Sequence, residues 1–339
     1  MRIKIGNKII SESSPVFIVA EIGLNHNGKI KLAKDLILEA KKCGADAVKF
    51  QTYKTELFIN KKYAKDQYEI FKKYELKFDD FVKIKEFADK VGIIFFSTPF
   101  DFESANFLIK LKVPAIKVAS SELSNIYFLK YLAKAKLPLF ISTGMSAYKE
   151  IKHTYKIISR INKKIILLYC VSDYPLNPKD ANMNSILFLK KKFKTIIGFS
   201  DHSEGFLLDV IATAFGAKII EKHFTLDKNQ KGPDHKFSLT PSEMKTMIEN
   251  IRDTENSLGK GGKLITKNEK IIKKYALKGI YAKEDILAGE KITYDKIILQ
   301  RPMKGIPASE VEEIKGNIAK RDIFKGEYIS KADYMVQHQ

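Results

Sequence analysis

Two histidines indicate the chemistry this sequence can be expected to perform. His202 and His223 end two successive apolar runs, TIIGFSDH (195–202) and AKIIEKHF (217–224). Between them, GFLLDVIATAFG (205–216) has the length and apolar spacing of a helix closed by Gly216. Parallel strands joined by a crossover helix point the same way, so both imidazoles are expected on one rim, beside Asp201 and Glu221. Paired imidazoles flanked by carboxylates form a donor set for a divalent metal ion.

The elements that must position this pair form a repeating pattern. VFIVAEIG (16–23), AVKFQTY (47–53), IIFFSTPF (93–100), AIKVASSE (115–122), LFISTGM (139–145) and IILLYCVSD (165–173) are six further apolar runs of strand length. Amphipathic stretches lie between them, including 30–43 and 78–92, which end at Gly44 and Gly92. Eight strand and helix units predict an α/β fold, a (β/α)8 TIM barrel over residues 1–262. The site of such a barrel lies at the C-terminal ends of its strands. Those ends carry Glu21, Asn25, His26, Lys49, Gln51, Thr98, Lys117, Ser120, Glu122, Ser142, Ser172, Tyr174 and Ser200, besides the residues already named. Lysines and hydroxyls gathered on one rim suit an anion such as a phosphate or carboxylate. Lys49 and Lys117 lie inside strands, where an unpaired ammonium would be costly.

After Phe224 the segment TLDKNQKGPDHKFSL (225–239) has the composition of a long loop, and it brings Asp234 and His235 near the same rim. A helix starting at Pro241 follows and is ended by GKGGK (259–263). Residues 263–277 read as a linker, able to span roughly 20 Å if half extended. Residues 278–339 read as a small domain of short strands and turns in which AGE and KGE recur. A segment of that size is too small to do chemistry alone.

The chain carries 60 Lys+Arg against 40 Asp+Glu, a net charge of +20. Residues 278–339 hold eleven of the former and ten of the latter, so the excess lies in the barrel, spread mostly as lysine along helices. Diffuse lysine is the pattern of solvated helix faces, and no nucleic-acid partner is expected. No apolar run approaches the ~20 residues of a membrane span, and the N-terminus lacks a secretory apolar region, so no membrane partner and a cytoplasmic location are expected. Cys43 and Cys170 sit in apolar contexts without CxxC spacing and read as core residues.

Taken together, AEIGLNHNG (20–28), KFQTY (49–53), STPF (97–100), GFSDH (198–202), EKHF (221–224) and GPDH (232–235) resemble the sialic acid synthase family. QRPMKGI (300–306) resembles the antifreeze-like SAF (β-clip) domain that follows the barrel in that family. The resemblance implies a transferase that condenses phosphoenolpyruvate with an N-acylated amino sugar and water. N-acetylmannosamine, giving N-acetylneuraminate, is the first expectation, with a diacetamido-trideoxyhexose giving legionaminate or pseudaminate as the alternative. It implies a divalent metal, manganese first and magnesium or cobalt next, on His202 and His223 with Glu21 nearby. It implies phosphoenolpyruvate on Lys49, Gln51, Thr98, Lys117, Ser120, Ser172 and Ser200, and the sugar on Glu122, Tyr174, Asp234 and Arg301. Glu21 or Glu122 would handle the proton of the water. A domain-swapped homodimer is implied as well. Where many synthases have asparagine before the Tyr-Pro of the sixth strand, this chain has Ser172 and Asp173. Another phosphoenolpyruvate-condensing sugar-acid synthase and a polyanion-binding protein are the rival readings.

Overall fold

The computed structural model describes residues 1–336, and the chain divides into two compact units, Met1–Gly259 and a second that begins at Lys260. Eight parallel strands close the first unit into the expected barrel. They are β1 (Phe17–Gly23), β2 (Ala47–Thr52), β3 (Ile94–Pro99), β4 (Ile116–Val118), β5 (Leu139–Ser142), β6 (Ile165–Cys170), β7 (Ile196–Asp201) and β8 (Ile219–His223). Each strand pairs with its neighbours in sequence, and β8 returns to β1 with His223 opposite Glu21.

The period of two along each strand decides what faces where. One alternate set, Ile18, Val48, Phe95, Ile116, Ile141, Ile197 and Ile220 among others, packs against the surrounding helices in the main core. The other set points into the barrel. Its lower members, Phe17, Phe96, Phe140, Ile166, Ile196 and Ile219, form a separate apolar cluster with Ile3, Ile5 and Ile10. Those three isoleucines belong to an antiparallel hairpin, Arg2–Ile5 with Lys8–Ser11, which covers the N-terminal end of the barrel. Further along the same strands, toward their C-terminal ends, the inward positions turn polar.

Three local features depart from the sequence reading. β4 stops at Val118 and a 3-10 turn takes over at Ser120–Glu122, where the sequence reading carries the strand to 122. Two short helices, Thr55–Phe58 and Lys65–Tyr74, stand between β2 and the helix Phe78–Val91. The linker is not extended: Lys267–Ala276 is a helix whose first turn is fixed by Thr266 and Glu269 in a capping box. At about 1.5 Å per residue it reaches less far than an extended chain would.

The second unit has its own apolar cluster, built on Ile280, Ile286, Ile292, Ile306, Ile323 and Ile329. The AGE and KGE turns belong to a longer repeat, DILAGEKI (285–292) and DIFKGEYI (322–329). The copies pair reciprocally. Ile286 and Ile323 exchange both backbone hydrogen bonds at 2.9 Å. Asp285 accepts from the Lys325 amide and Asp322 from the Ala288 amide, each at 2.8 Å.

Candidate active site

The C-terminal ends of the strands surround a cavity of about 290 Å³. Glu21, Lys49, Gln51, Thr98, Lys117, Ser120, Ser172, Tyr174, Ser200, His202 and His223 all line it, as the sequence leads one to expect. The alternation of β7 and β8 sorts the remaining rim residues. Ser200, His202, Glu221 and His223 face the cavity, whereas Asp201 and Lys222 turn to the helix side, where they form a fully buried ion pair. Asp201 is therefore not beside the imidazoles as expected. It accepts from the Ser203 amide and hydroxyl at 2.8 and 2.9 Å and fixes the turn that carries His202.

Two lysines and two glutamates form the floor of the cavity. Lys49 Nζ lies 2.7 Å from Glu21 Oε2 and 3.2 Å from Thr98 Oγ1. Lys117 Nζ lies 3.5 Å from Glu221 Oε1, which also accepts from Ser200 at 2.9 Å. Burial disfavours every one of these charges, and the pairing decides the outcome. Burial alone would lower Lys49, but Glu21 and Glu221 hold it above the usual lysine range. For Lys117 burial wins and its ammonium is pulled down. Burial lifts the Glu21 carboxyl to about 7 against the pull of Lys49. Glu221, facing both lysines, stays below the usual carboxylate range in spite of its burial. Ser142 Oγ and Ser172 Oγ are buried without a hydrogen-bond partner at this wall, two hydroxyl donors that an anion could use.

The two imidazoles stand above this floor with ring centroids 5.8 Å apart. A carbonyl can only accept, so the 2.7 Å contact of His202 Nδ1 with Val171 O puts the proton on Nδ1 and leaves Nε2 as a lone pair. Burial lowers His202 to about 4 and pushes His223 well below its ordinary value, so both rings are neutral. His223 Nδ1 is buried without a hydrogen-bond partner and lies 3.7 Å from Asp234 Oδ2. Burial raises Asp234 to about 6. Two neutral imidazoles with nearby carboxylates fit a divalent ion in donor chemistry. Among the described residues, however, no three His, Cys, Asp or Glu side chains are gathered into a ready metal cluster. Water or substrate oxygens would have to complete the shell.

Three expected residues fall elsewhere. The turn after β4 carries Glu122 off the cavity wall, where the Asn125 amide donates to it at 2.8 Å. Asp234 is not on the cavity wall but reaches it through His223. Arg301 belongs to the second unit, exposed at the end of the strand Ile297–Gln300. The sequence reading puts Glu221 beside the imidazoles and Ser142 among the rim hydroxyls, and it misses Phe237, whose ring lies 4.9 Å from that of His223. An aromatic in a loop of 15 residues carries no periodic signal. Gly23 was equally hidden. Its φ of +51° follows a register shift in β1, and a Cβ there would lie 3.1 Å from Glu21 Oε1 and 3.2 Å from Asp234 Oδ2.

Comparison with known proteins gives matches over both units. The NeuB family matches residues 36–263 and the SAF domain matches residues 278–335. The chain is 40% identical to an N,N'-diacetyllegionaminic acid synthase of Legionella pneumophila over 92% of each chain. It is 36% identical to the N-acetylneuraminate-9-phosphate synthase of Mus musculus, over 89% of this chain and 88% of that protein. A crystal structure of N-acetylneuraminic acid (sialic acid) synthetase from Leptospira borgpetersenii superposes with a TM-score of 0.76 at 37% identity, covering 80% of this chain and 95% of that one.

Proposed function

Because the chain belongs to the NeuB family of sugar-acid synthases and carries a SAF domain, we propose that it condenses phosphoenolpyruvate with an unphosphorylated N-acylated amino sugar. The observation that carries this reading is the pairing of a lysine and hydroxyl floor, with unpartnered Ser142 and Ser172 hydroxyls, and two neutral imidazoles in one cavity. The phosphate and carboxylate of phosphoenolpyruvate match Lys49, Lys117, Thr98, Ser120, Ser172 and Ser200, with Gln51 at the edge. Among the described residues, Lys49 and Lys117 are the only lysines lining the cavity and no arginine lines it, so phosphoenolpyruvate would use both of these cations. This favours a neutral sugar. A diacetamido-trideoxyhexose ranks ahead of N-acetylmannosamine, because the more similar of the two enzymes named above makes diacetyllegionaminic acid.

In the reaction the enol carbon of phosphoenolpyruvate bonds to the aldehyde carbon of the sugar, and the aldehyde oxygen takes up a proton. Water adds to the phosphate-bearing carbon and loses a proton. The carbon–oxygen bond to phosphate then breaks, leaving a nine-carbon 2-keto acid and inorganic phosphate. Glu21, lifted to about 7 and inside the cavity, suits carrying a proton between the water and the sugar oxygen. Glu122, turned away, suits that role less well. A divalent ion bound by His202 and His223 would polarise the aldehyde oxygen. Tyr174, whose ring lies 4.1 Å from that of His202, suits contact with the sugar, and Asp234, off the wall and 3.7 Å from His223 Nδ1, is proposed as a further sugar contact. Phosphate release from phosphoenolpyruvate, measured with the diacetamido-trideoxyhexose, N-acetylmannosamine and N-acetylmannosamine 6-phosphate, tests the proposal. Release with a neutral sugar is expected. No release with any sugar overturns the reaction, and preference for the 6-phosphate overturns the neutral-sugar reading.

A further inference from the structure

We propose that His235 and Asn27 form a latch between the loop after β8 and the loop after β1, and that both are positioning residues for Asp234. The inference rests on the sugar-binding reading of Asp234. It begins from the loop itself, residues 225–239, which is long for a connection without strands and is therefore expected to have a function or to be loosely held. This loop is pinned on both sides of Asp234.

On one side, His235 is buried and both of its ring nitrogens have partners. Nε2 donates to Asn27 Oδ1 at 3.2 Å, and Nδ1 meets Thr225 Oγ1 at 2.6 Å. Asn27 stands 208 positions away, and its other amide atom donates to Gln230 Oε1 at 3.3 Å. Both ends of its amide therefore go to the same distant loop. Asn27 has φ of +50°, a conformation that asparagine tolerates better than most residues. Gly232 is where the ring lies against the backbone, since a Cβ there would be 2.6 Å from His235 Cδ2.

On the other side, Asn25 Nδ2 donates to Phe224 O and to Ser238 Oγ, both at 2.9 Å, and Ser238 Oγ donates to Asp234 O at 2.6 Å. Asp234 is thus held between two clasps, both anchored in the loop after β1. Its carboxylate is fixed 3.7 Å from His223 Nδ1. Neither His235 nor Asn27 lines the cavity, so any effect they have on the reaction passes through the loop they hold. Displacing a substrate-binding group by about 1 Å can cost on the order of 10²-fold in rate.

The test uses the full chain and compares wild type with His235→Ala, Asn27→Ala, Asp234→Ala and the double variant His235→Ala/Asp234→Ala. The expected result is a rise of about tenfold or more in KM for the amino sugar in His235→Ala and Asn27→Ala, with KM for phosphoenolpyruvate within about twofold of wild type. In the double variant His235→Ala should add no loss beyond Asp234→Ala alone, because the two act as one unit. Equal rises in both KM values, or the same loss in the Asp234→Ala background as in wild type, would overturn the latch. Hydrogen exchange of residues 225–239 gives a reading that needs no turnover. Faster exchange there in His235→Ala and Asn27→Ala, with the barrel strands unchanged, supports the latch, and unaltered exchange overturns it. A wild-type chain inactive on every sugar would remove the functional reading, while the exchange result would still decide the latch.

Discussion

The two ends of the barrel are built from the same eight strands and do opposite things. At the N-terminal end the inward positions are Phe17, Phe96, Phe140, Ile166, Ile196 and Ile219, and the hairpin isoleucines complete a dry plug. Two to four residues further along, the inward positions become Glu21, Thr98, Ser142, Ser200 and Glu221, with Lys49 and Lys117 from β2 and β4, and buried polar atoms are left without partners. The plug gains free energy from burial, at about 25 cal/mol per Å² of apolar surface. The other end gives some of that up, because each buried charge must be desolvated before it is useful. The contrast teaches that in this chain stability and chemistry are separated along the barrel axis rather than between domains.

The separation can be broken or sharpened by substitution at each end. The largest effect is expected at the polar end. His202→Ala and His223→Ala should each lower turnover on the order of 10²-fold or more and leave thermal stability close to wild type, and chelation should suppress activity reversibly. Steady-state rates alongside thermal melts would check this, and full activity in excess chelator would remove the metal from the proposal. At the plug, Phe140→Ala should cost about 3–5 kcal/mol of stability while turnover per folded molecule stays near wild type. Denaturant melts with activity normalised to folded protein would show it. A Phe140→Ala protein that is stable but inactive would mean that the two ends are not separable.

The smallest effect concerns whether the polar end is complete within one chain. We propose that Arg301 meets the sugar of another copy in a homodimer. Mixing inactive Arg301→Ala protein with inactive His202→Ala protein should then restore part of the activity, since one site of a mixed dimer has both groups intact. No recovery after demonstrated subunit exchange would count against the shared site.

Much of this was legible in the chain. The eight apolar runs predict the strands because a strand buried on both faces leaves a short, uninterrupted hydrophobic signal. The polar residues that end those runs predict the cavity wall, because strand ends in a closed barrel converge. His202 and His223 are found in this way, as are Lys49, Lys117 and the serines. Glu122 was misplaced because a helical turn begins at Ser120, and nothing in ASSEL marks where β4 stops. The linker reading leaves out the helix Lys267–Ala276, although Thr266 and Glu269 spell its capping box in the sequence.

What the sequence by itself determined is the order of strands and the chemical character of their ends, since both follow from local composition and a period of two. What only the tertiary structure decided is facing and distance. Asp201 and Glu221 look alike in the chain, but the phase of each strand sends one to a buried lysine on the helix side and the other into the cavity. Asn27 and His235 carry no mutual signal across 208 residues, and they meet because barrel closure sets β8 beside β1. Contacts between residues so far apart exist only after closure, when the entropy of bringing those ends together has already been met by the strand pairing.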